Sequence, residues 1–303
     1  MHRSILDVIG NTPMVQLKND ESIYLKLELF NPGGSMKDRA ALFMIEEAER
    51  NGVLKSNGTI VDASSGNFGI TLAMIGVVKG YKVIITVPEK ISSEKLAAIK
   101  AYGAEVHICP TTNDIDDPNH YRNRADAIHK STSDSFRPNQ YYNENNPLSH
   151  YKWLGPEIWQ QTNGGVTHLF ATIGTGGTIM GVAKYLKEQN PKIKIIGVDS
   201  DVSYRATNGK PGPSHVEGMG VDADMCLVDY NLIDEIINVS DVDAYDTMRL
   251  LPKTEGILVG PSSGAVAFAA MNYPKADNSL MIAICPDSGK AYFSKFNKYS
   301  TSL

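Results

Sequence analysis

The chain has 303 residues, 42% hydrophobic and 21% charged, with a net charge of −5. That length makes one large or two medium domains, with a core that needs no disulfide or metal staple. The acidic balance and the lack of any lysine/arginine run argue against nucleic acid as the partner. The longest apolar stretch, around Phe68–Val78, is too short to cross a bilayer, and Met1–Gly10 lacks a signal-peptide core, so the expected place is the cytoplasm.

In chain order, β-branched runs predict strands at Tyr24–Leu27, Thr59–Asp62, Lys82–Val87, Val106–Cys109, Thr167–Thr172, Lys194–Val198, Glu235–Val239 and Leu280–Cys285. Helical patterns lie between them at Asp38–Asn51, Gly69–Lys79, Ser93–Tyr102, Asn119–Lys130, Gly177–Glu188 and Ala244–Leu251. This alternation predicts an α/β fold with largely parallel sheets, since strands buried on both faces read as nearly continuous apolar runs. The strands are too many for one sheet. The polar stretch Thr111–Asn146 reads as a helix and then a connection between two α/β units, and Lys298–Leu303 as a frayed tail.

Cys109, Cys226 and Cys285 are odd in number, far apart and free of any C-x-x-C, so they read as buried small hydrophobes in a reducing compartment. The seven histidines show no paired-ligand spacing, and no metal is expected.

Ligands of α/β proteins gather where strands run into helix N-termini. Four such junctions are rich in Gly, Ser, Thr and Asn. In Asn31-Pro32-Gly33-Gly34-Ser35-Met36-Lys37 the helix opens on a lysine, which the positive end of the helix dipole disfavours. The same position suits a lysine of lowered pKa serving as nucleophile; the pattern alone leaves a capped, solvent-facing helix start equally open. Ser64-Ser65-Gly66-Asn67-Phe68-Gly69 offers hydroxyls, an amide and backbone N–H groups as an anion cradle or a simple capping turn. Gly174-Thr175-Gly176-Gly177-Thr178 is the strongest phosphate signal, because its glycines let backbone approach an anion. Asp199 sits where a dinucleotide fold places its ribose acid, but Ile179 breaks the G-x-G-x-x-G pattern and no Walker motif occurs. Gly260-Pro261-Ser262-Ser263-Gly264 and Pro286-Asp287-Ser288-Gly289 fit a site or plain turns.

In this order and spacing the junctions resemble the cysteine synthase/cystathionine β-synthase family of fold-type II pyridoxal-phosphate (PLP) enzymes. The resemblance covers nearly the whole chain. It extends to Ile9-Gly10-Asn11-Thr12-Pro13, Val87-Pro88-Glu89-Lys90-Ile91-Ser92-Ser93-Glu94-Lys95, Asn139-Gln140-Tyr141, Asn146-Pro147, His150-Tyr151 and Gly155-Pro156-Glu157-Ile158. Val216-Glu217-Gly218-Met219-Gly220 looks more like cystathionine β-synthases than plain cysteine synthases.

The resemblance implies two α/β domains, with residues 1–40 and 146–303 forming a large cofactor-binding domain and 41–145 a small movable one. It implies that Lys37 carries PLP as a Schiff base and removes the substrate's α-proton. Asn67 would hydrogen-bond the cofactor's ring hydroxyl oxygen, Gly174, Thr175, Gly176, Gly177 and Thr178 would cradle its phosphate, and Ser262 would face its pyridine nitrogen. Pro286 and Asp287 would complete the cofactor site. Ser64, Ser65, Phe68 and Gln140 match positions that bind the substrate carboxylate, and Gly218 lies near the substrate amine.

Phe68 stands where the family usually has Thr, Met36 where a small residue precedes the lysine, and Val221 where many cystathionine β-synthases have an aromatic. These three are expected to surround the substrate and decide its identity. The implied reaction is β-replacement on serine or an activated serine by homocysteine, with hydrogen sulfide release from cysteine as a side activity. The alternatives are cysteine synthase, using O-acetylserine and sulfide, then a diaminopropionate-precursor synthase using an amine, and last a non-catalytic PLP-binding protein. A homodimer taking small amino acids is implied, with no haem and no adenosylmethionine-type regulation.

Overall fold

The computed structural model describes residues 1–64, 66–110, 112, 116–221, 223–296 and 299. The chain runs β1 (Met14–Leu17), β2 (Asp20–Leu27), α1 (Lys37–Arg50), β3 (Thr59–Ala63), α2 (Asn67–Lys79), β4 (Lys82–Pro88), α3 (Ser93–Ala101) and β5 (Glu105–Cys109). It continues through α4 (Tyr121–Ser131), β6 (Ser135–Phe136), α5 (Asn145–Lys152), α6 (Leu154–Gln161), β7 (His168–Thr172), α7 (Gly177–Gln189) and β8 (Lys194–Ser200). Then come β9 (Glu235–Val239), α8 (Asp241–Thr254), α9 (Pro261–Met271), β10 (Met281–Cys285) and a short 3-10 helix, Gly289–Lys295.

Among the described residues the strands form two sheets. One is six-stranded in the order β1-β2-β10-β7-β8-β9, the other four-stranded in the order β5-β4-β3-β6. Only the β1/β2 hairpin is antiparallel; every other neighbouring pair is parallel. The period of two along a strand sorts side chains to opposite faces. On β10, Met281, Ala283 and Cys285 enter one cluster with α8 and α9, while Ile282 and Ile284 enter another with α6 and α7. The four-stranded sheet does the same: Ile60, Val83 and Ile85 pack against α1 and α2, whereas Val61, Ala63 and Ile84 pack against Ala125 of α4. All four of its strands fall within residues 41–145.

Each predicted strand and helix is present, with shifted ends; β2, for instance, starts at Asp20 rather than Tyr24. The sequence reading missed β1, β6, α5 and α6. β6 is two residues long and β1 four, too short to show a period. α5 and α6 each carry a proline in the first turn, Pro147 and Pro156, where its missing N–H is harmless. The apolar run Ile257–Val259 forms no strand; Val259 makes one isolated bridge to Ser288. Cys109 and Cys285 are buried, but Cys226 is exposed, against expectation, and all three are free thiols. The expected tail at Lys298–Leu303 lies outside the described residues, apart from Tyr299, whose ring stacks on His215. No helix is long and apolar enough to cross a membrane among the described residues.

Candidate active site

Two loops far apart in sequence are stitched together at the C-terminal end of the six-stranded sheet. Ser35 bridges Asp287, Met36 N–H donates to the Pro286 carbonyl at 2.9 Å, and Ser288 N–H donates to the Gly34 carbonyl at 3.3 Å. Gly34 turns the chain there in the left-handed region, at φ 82°. This stitching delivers Lys37, the first residue of α1, next to Asp287. Burial pulls the Lys37 amine down to about 8, and the charge of Asp287 opposes that pull. Asp38, next along, accepts from Gly33 N–H and from the Thr71 hydroxyl, both at 2.5 Å. Burial pushes its carboxyl up to about 6. Thr71 Oγ1 also lies 3.1 Å from the Asn67 carbonyl oxygen, so Asp38 ties the start of α1 to the start of α2.

Asn67 opens α2, and its amide Nδ2 donates to Asp287 Oδ2 at 2.6 Å. Ser64, at the end of β3, accepts from the N–H groups of Gly66 and Gly69, at 3.2 and 2.8 Å, shaping the loop beneath the helix start. Ser65 lies outside the described residues. The side chain of Phe68 points into the core. Its side chain is 1% exposed and sits in the cluster of Ile45, Leu72 and Ile99, so it fills the core rather than facing a substrate. A phenyl ring gains more from burial among aliphatics than a hydroxyl would. What position 68 can offer an anion is its backbone N–H, in the first turn of α2.

The loop from Gly174 to Thr178 caps α7. Gly176 sits at φ 86°, and a Cβ on Gly174 would come within 2.5 Å of the Gly218 carbonyl oxygen. A Cβ on Gly177 would strike the Asn146 amide. The first is a close approach of backbone to backbone and the second of backbone to a side-chain amide, and the first-turn N–H groups of α7 have no partner within the helix. Asn146 donates to the Gln140 carbonyl at 2.8 Å and to Thr175 Oγ1 at 3.0 Å, joining the Gln140 segment to the glycine loop. Gln140 is buried, and its side-chain Oε1 has no partner. Ser262, in the first turn of α9, is buried with its Oγ 3.8 Å from where a Cβ on Gly218 would stand. Asp199 accepts from the N–H of Gly220 at 3.1 Å and of Ser200 at 2.8 Å, holding the Gly218 loop instead of a ribose.

Met36 reaches the glycine loop. Its sulfur accepts from the Thr178 hydroxyl at 3.2 Å, and it packs with the α6/α7 cluster, so it backs the glycine loop. Thr178 Oγ1 also lies 3.2 Å from His150 Nε2. Burial depresses the His150 pKa well below its ordinary value, which keeps the imidazole neutral beside Lys37. Val221 gives its carbonyl to Tyr204 N–H.

Sequence reasoning did not single out the support under α1. Arg39 makes paired bonds to Glu28 (2.7 and 2.8 Å) and to Glu157 (2.8 and 3.0 Å), and Lys26 pairs with Glu157 as well. Burial alone would raise the Glu28 pKa, but Arg39 holds it below the usual carboxylate range. The signal was present in Thr12 and Glu157, which both lie in family motifs; Thr12 donates to Glu28 at 2.6 Å.

This assembly suits PLP. An amine of lowered pKa stands beside an unpartnered buried carboxylate oxygen, Asp287 Oδ1. A glycine-lined helix start offers N–H donors for a phosphate. Among the described residues no group of His, Cys, Asp or Glu could hold a metal ion.

The two parallel sheets and this lysine-centred junction define a fold-type II PLP enzyme. The model of the pyridoxal-phosphate dependent enzyme family matches residues 5–283, and the chain belongs to that family. Cystathionine β-synthase of Apis mellifera is 41% identical over 96% of this chain, which spans only 60% of the length of that relative. Cysteine synthase of Staphylococcus aureus is 39% identical, covering 96% of this chain and 95% of the relative. The crystal structure of a hydrogen sulfide-producing enzyme from Fusobacterium nucleatum superposes with a TM-score of 0.91 at 40% identity, covering 96% of this chain and all of that one.

Proposed function

We propose that the chain catalyses β-replacement on serine or an activated serine by a thiol, with homocysteine as nucleophile and cystathionine as product. The observation that carries the chemistry is the placement of Lys37, whose amine burial pulls down to about 8 at the meeting of the two stitched loops. Bound PLP supplies an electron sink for the pair left on the substrate's α-carbon.

The residues then divide the work. The Gly174–Thr178 loop and the α7 start hold the phosphate, and Ser262 offers the ring nitrogen a neutral partner rather than a carboxylate. The α2 start and Gln140 receive the substrate carboxylate. A lysine whose pKa lies near 8 is partly neutral at physiological pH, so Lys37 Nζ takes the α-proton as a general base. The β-hydroxyl leaves as water with the proton that Lys37 took, the thiol sulfur bonds to the β-carbon, and the thiol's proton passes through Lys37 Nζ to the α-carbon. Burial of the lysine, Gln140 and Ser262 keeps competing water from that carbon.

Homocysteine is favoured as nucleophile by the run Val216-Glu217-Gly218-Met219-Gly220 and by the likeness to the honeybee enzyme. The likeness to the Fusobacterium enzyme supports sulfide release from cysteine as a side activity. Cysteine synthase activity on O-acetylserine and sulfide is the second reading, favoured by the Staphylococcus relative. Residues 41–145 are proposed as the movable unit, and a cytoplasmic homodimer as the working form.

Purified enzyme is offered serine or O-acetylserine, each with homocysteine or sulfide, and the products are weighed by mass spectrometry. Cystathionine from serine or O-acetylserine is expected. Cysteine from O-acetylserine and sulfide, with no cystathionine under any condition, would sink the first reading in favour of the second.

A further inference from the structure

Lys95 belongs to α3, among the elements of the four-stranded sheet, yet its ammonium is used elsewhere. It is 2% exposed, pairs with Glu217, and donates to the Tyr292 hydroxyl at 2.9 Å. Tyr292 lies in the 3-10 helix that follows β10, 197 residues away in the chain. Glu217 does not depend on Lys95 alone, because Lys295 pairs with it at 2.6 Å.

The donor directions are fixed by chemistry. A lysine only donates, so the Tyr292 oxygen accepts from Lys95 and its hydrogen goes to Asp287 Oδ2, at 2.6 Å. A carboxylate only accepts, so Asn67 must turn Nδ2 toward the same Oδ2. Two glycines make room for the chain of bonds. A Cβ on Gly66 would stand 3.1 Å from Lys95 Nζ, and one on Gly260 would strike Asp287 and come within 2.8 Å of the Tyr292 ring.

We propose that Lys95 is a positioning residue that acts through Tyr292 and Asp287 to fix the orientation of the Asn67 amide toward the cofactor. This rests on the reading of Asn67 as a cofactor contact. α3 touches the cofactor site through this relay of side chains, and the Lys95 end of it joins the helix of one sheet to the C-terminal loop of the other.

The test titrates PLP into apoprotein of Lys95→Met, Tyr292→Phe, the double variant and Asn67→Ala, with the absorbance of the bound cofactor and apoprotein melting recorded for each. Lys95→Met and Tyr292→Phe should each weaken PLP binding about tenfold, equal to about 1.4 kcal/mol, and shift the absorbance maximum, while the apoprotein of Tyr292→Phe melts near the parent. The double variant should be no weaker than either single, as members of one relay are not additive. Should Lys95→Met fail to fold, Tyr292→Phe decides, since it keeps the Lys95–Glu217 pair. Parental affinity and spectrum in Tyr292→Phe, or fully additive losses, would overturn the inference. Parental PLP affinity in Asn67→Ala would overturn the reading of Asn67 and the inference with it; weakened Asn67→Ala beside parental Tyr292→Phe overturns the inference alone.

Discussion

The backbone N–H of Met36 donates to the carbonyl of Pro286 at 2.9 Å, and that one bond aligns the residue before Lys37 with the residue before Asp287. The lysine's position is thus set by backbone pairing, independent of its own side chain. Lys37→Ala should therefore fold. It should lose the visible absorbance of the lysine-bound cofactor and all turnover, with apoprotein melting no lower than the parent, because a desolvated amine is removed. Full turnover in this variant would end the proposed chemistry.

Gly176 is held at φ 86°, and a Cβ there would meet Val228 Cγ2 at 2.5 Å. Gly176→Ala is expected to lower unfolding free energy by about 1–3 kcal/mol and to weaken PLP binding, since the loop must shift to relieve the contact. Denaturant unfolding and PLP titration on the same preparation check both; unchanged PLP affinity would remove Gly176 from the phosphate cradle.

Arg39 is buried between Glu28 and Glu157. Arg39→Met should cost about 3–5 kcal/mol, the usual penalty for leaving a buried carboxylate without its partner. Lys26 already serves Glu157, so Glu28 is the stranded group. A loss below about 1 kcal/mol, the range of exposed pairs, would mean water reaches Glu28.

Burial pushes the Asp62 carboxyl up to about 6, although Arg137 and the N–H groups of Ala63 and Asn139 oppose the shift. A carboxyl raised on folding favours the folded state while protonated, so its contribution is complete below the unfolded value and is lost as pH climbs from 3.8 through about 6. Asp62→Asn cannot ionise. Parent minus variant, followed by thermal melting across that window, should fall as pH rises; a flat difference would show that folding leaves the Asp62 pKa at its unfolded value.

Much of the site could be read from the sequence, because its parts are local: each glycine-rich turn sits between an apolar run and a helix, and Lys37 stands out as a cation at a helix start. The fold was legible for the same reason, strands and helices alternating with clear periods. What could not be read depends on distant pairing. Lys95 ends a run shared with the family and Tyr292 does not, but neither carries a local mark of their contact. The motifs that hold Phe68 and Met36 do not tell which way their side chains point. A side chain's direction is set by what packs around it, and both turn to apolar neighbours.

β10 is the last strand among the described residues, yet it lies in the middle of its sheet, between β2 and β7. During synthesis, β2 waits beside an empty slot until Met281–Cys285 emerges, whereas β3, β4 and β5 follow one another and can zip together early. Pairing across such sequence distance is slow because loop closure must precede any gain in contacts. The pocket for the cofactor is therefore completed in a single late event, when the strand that leads into Pro286 and Asp287 slides home.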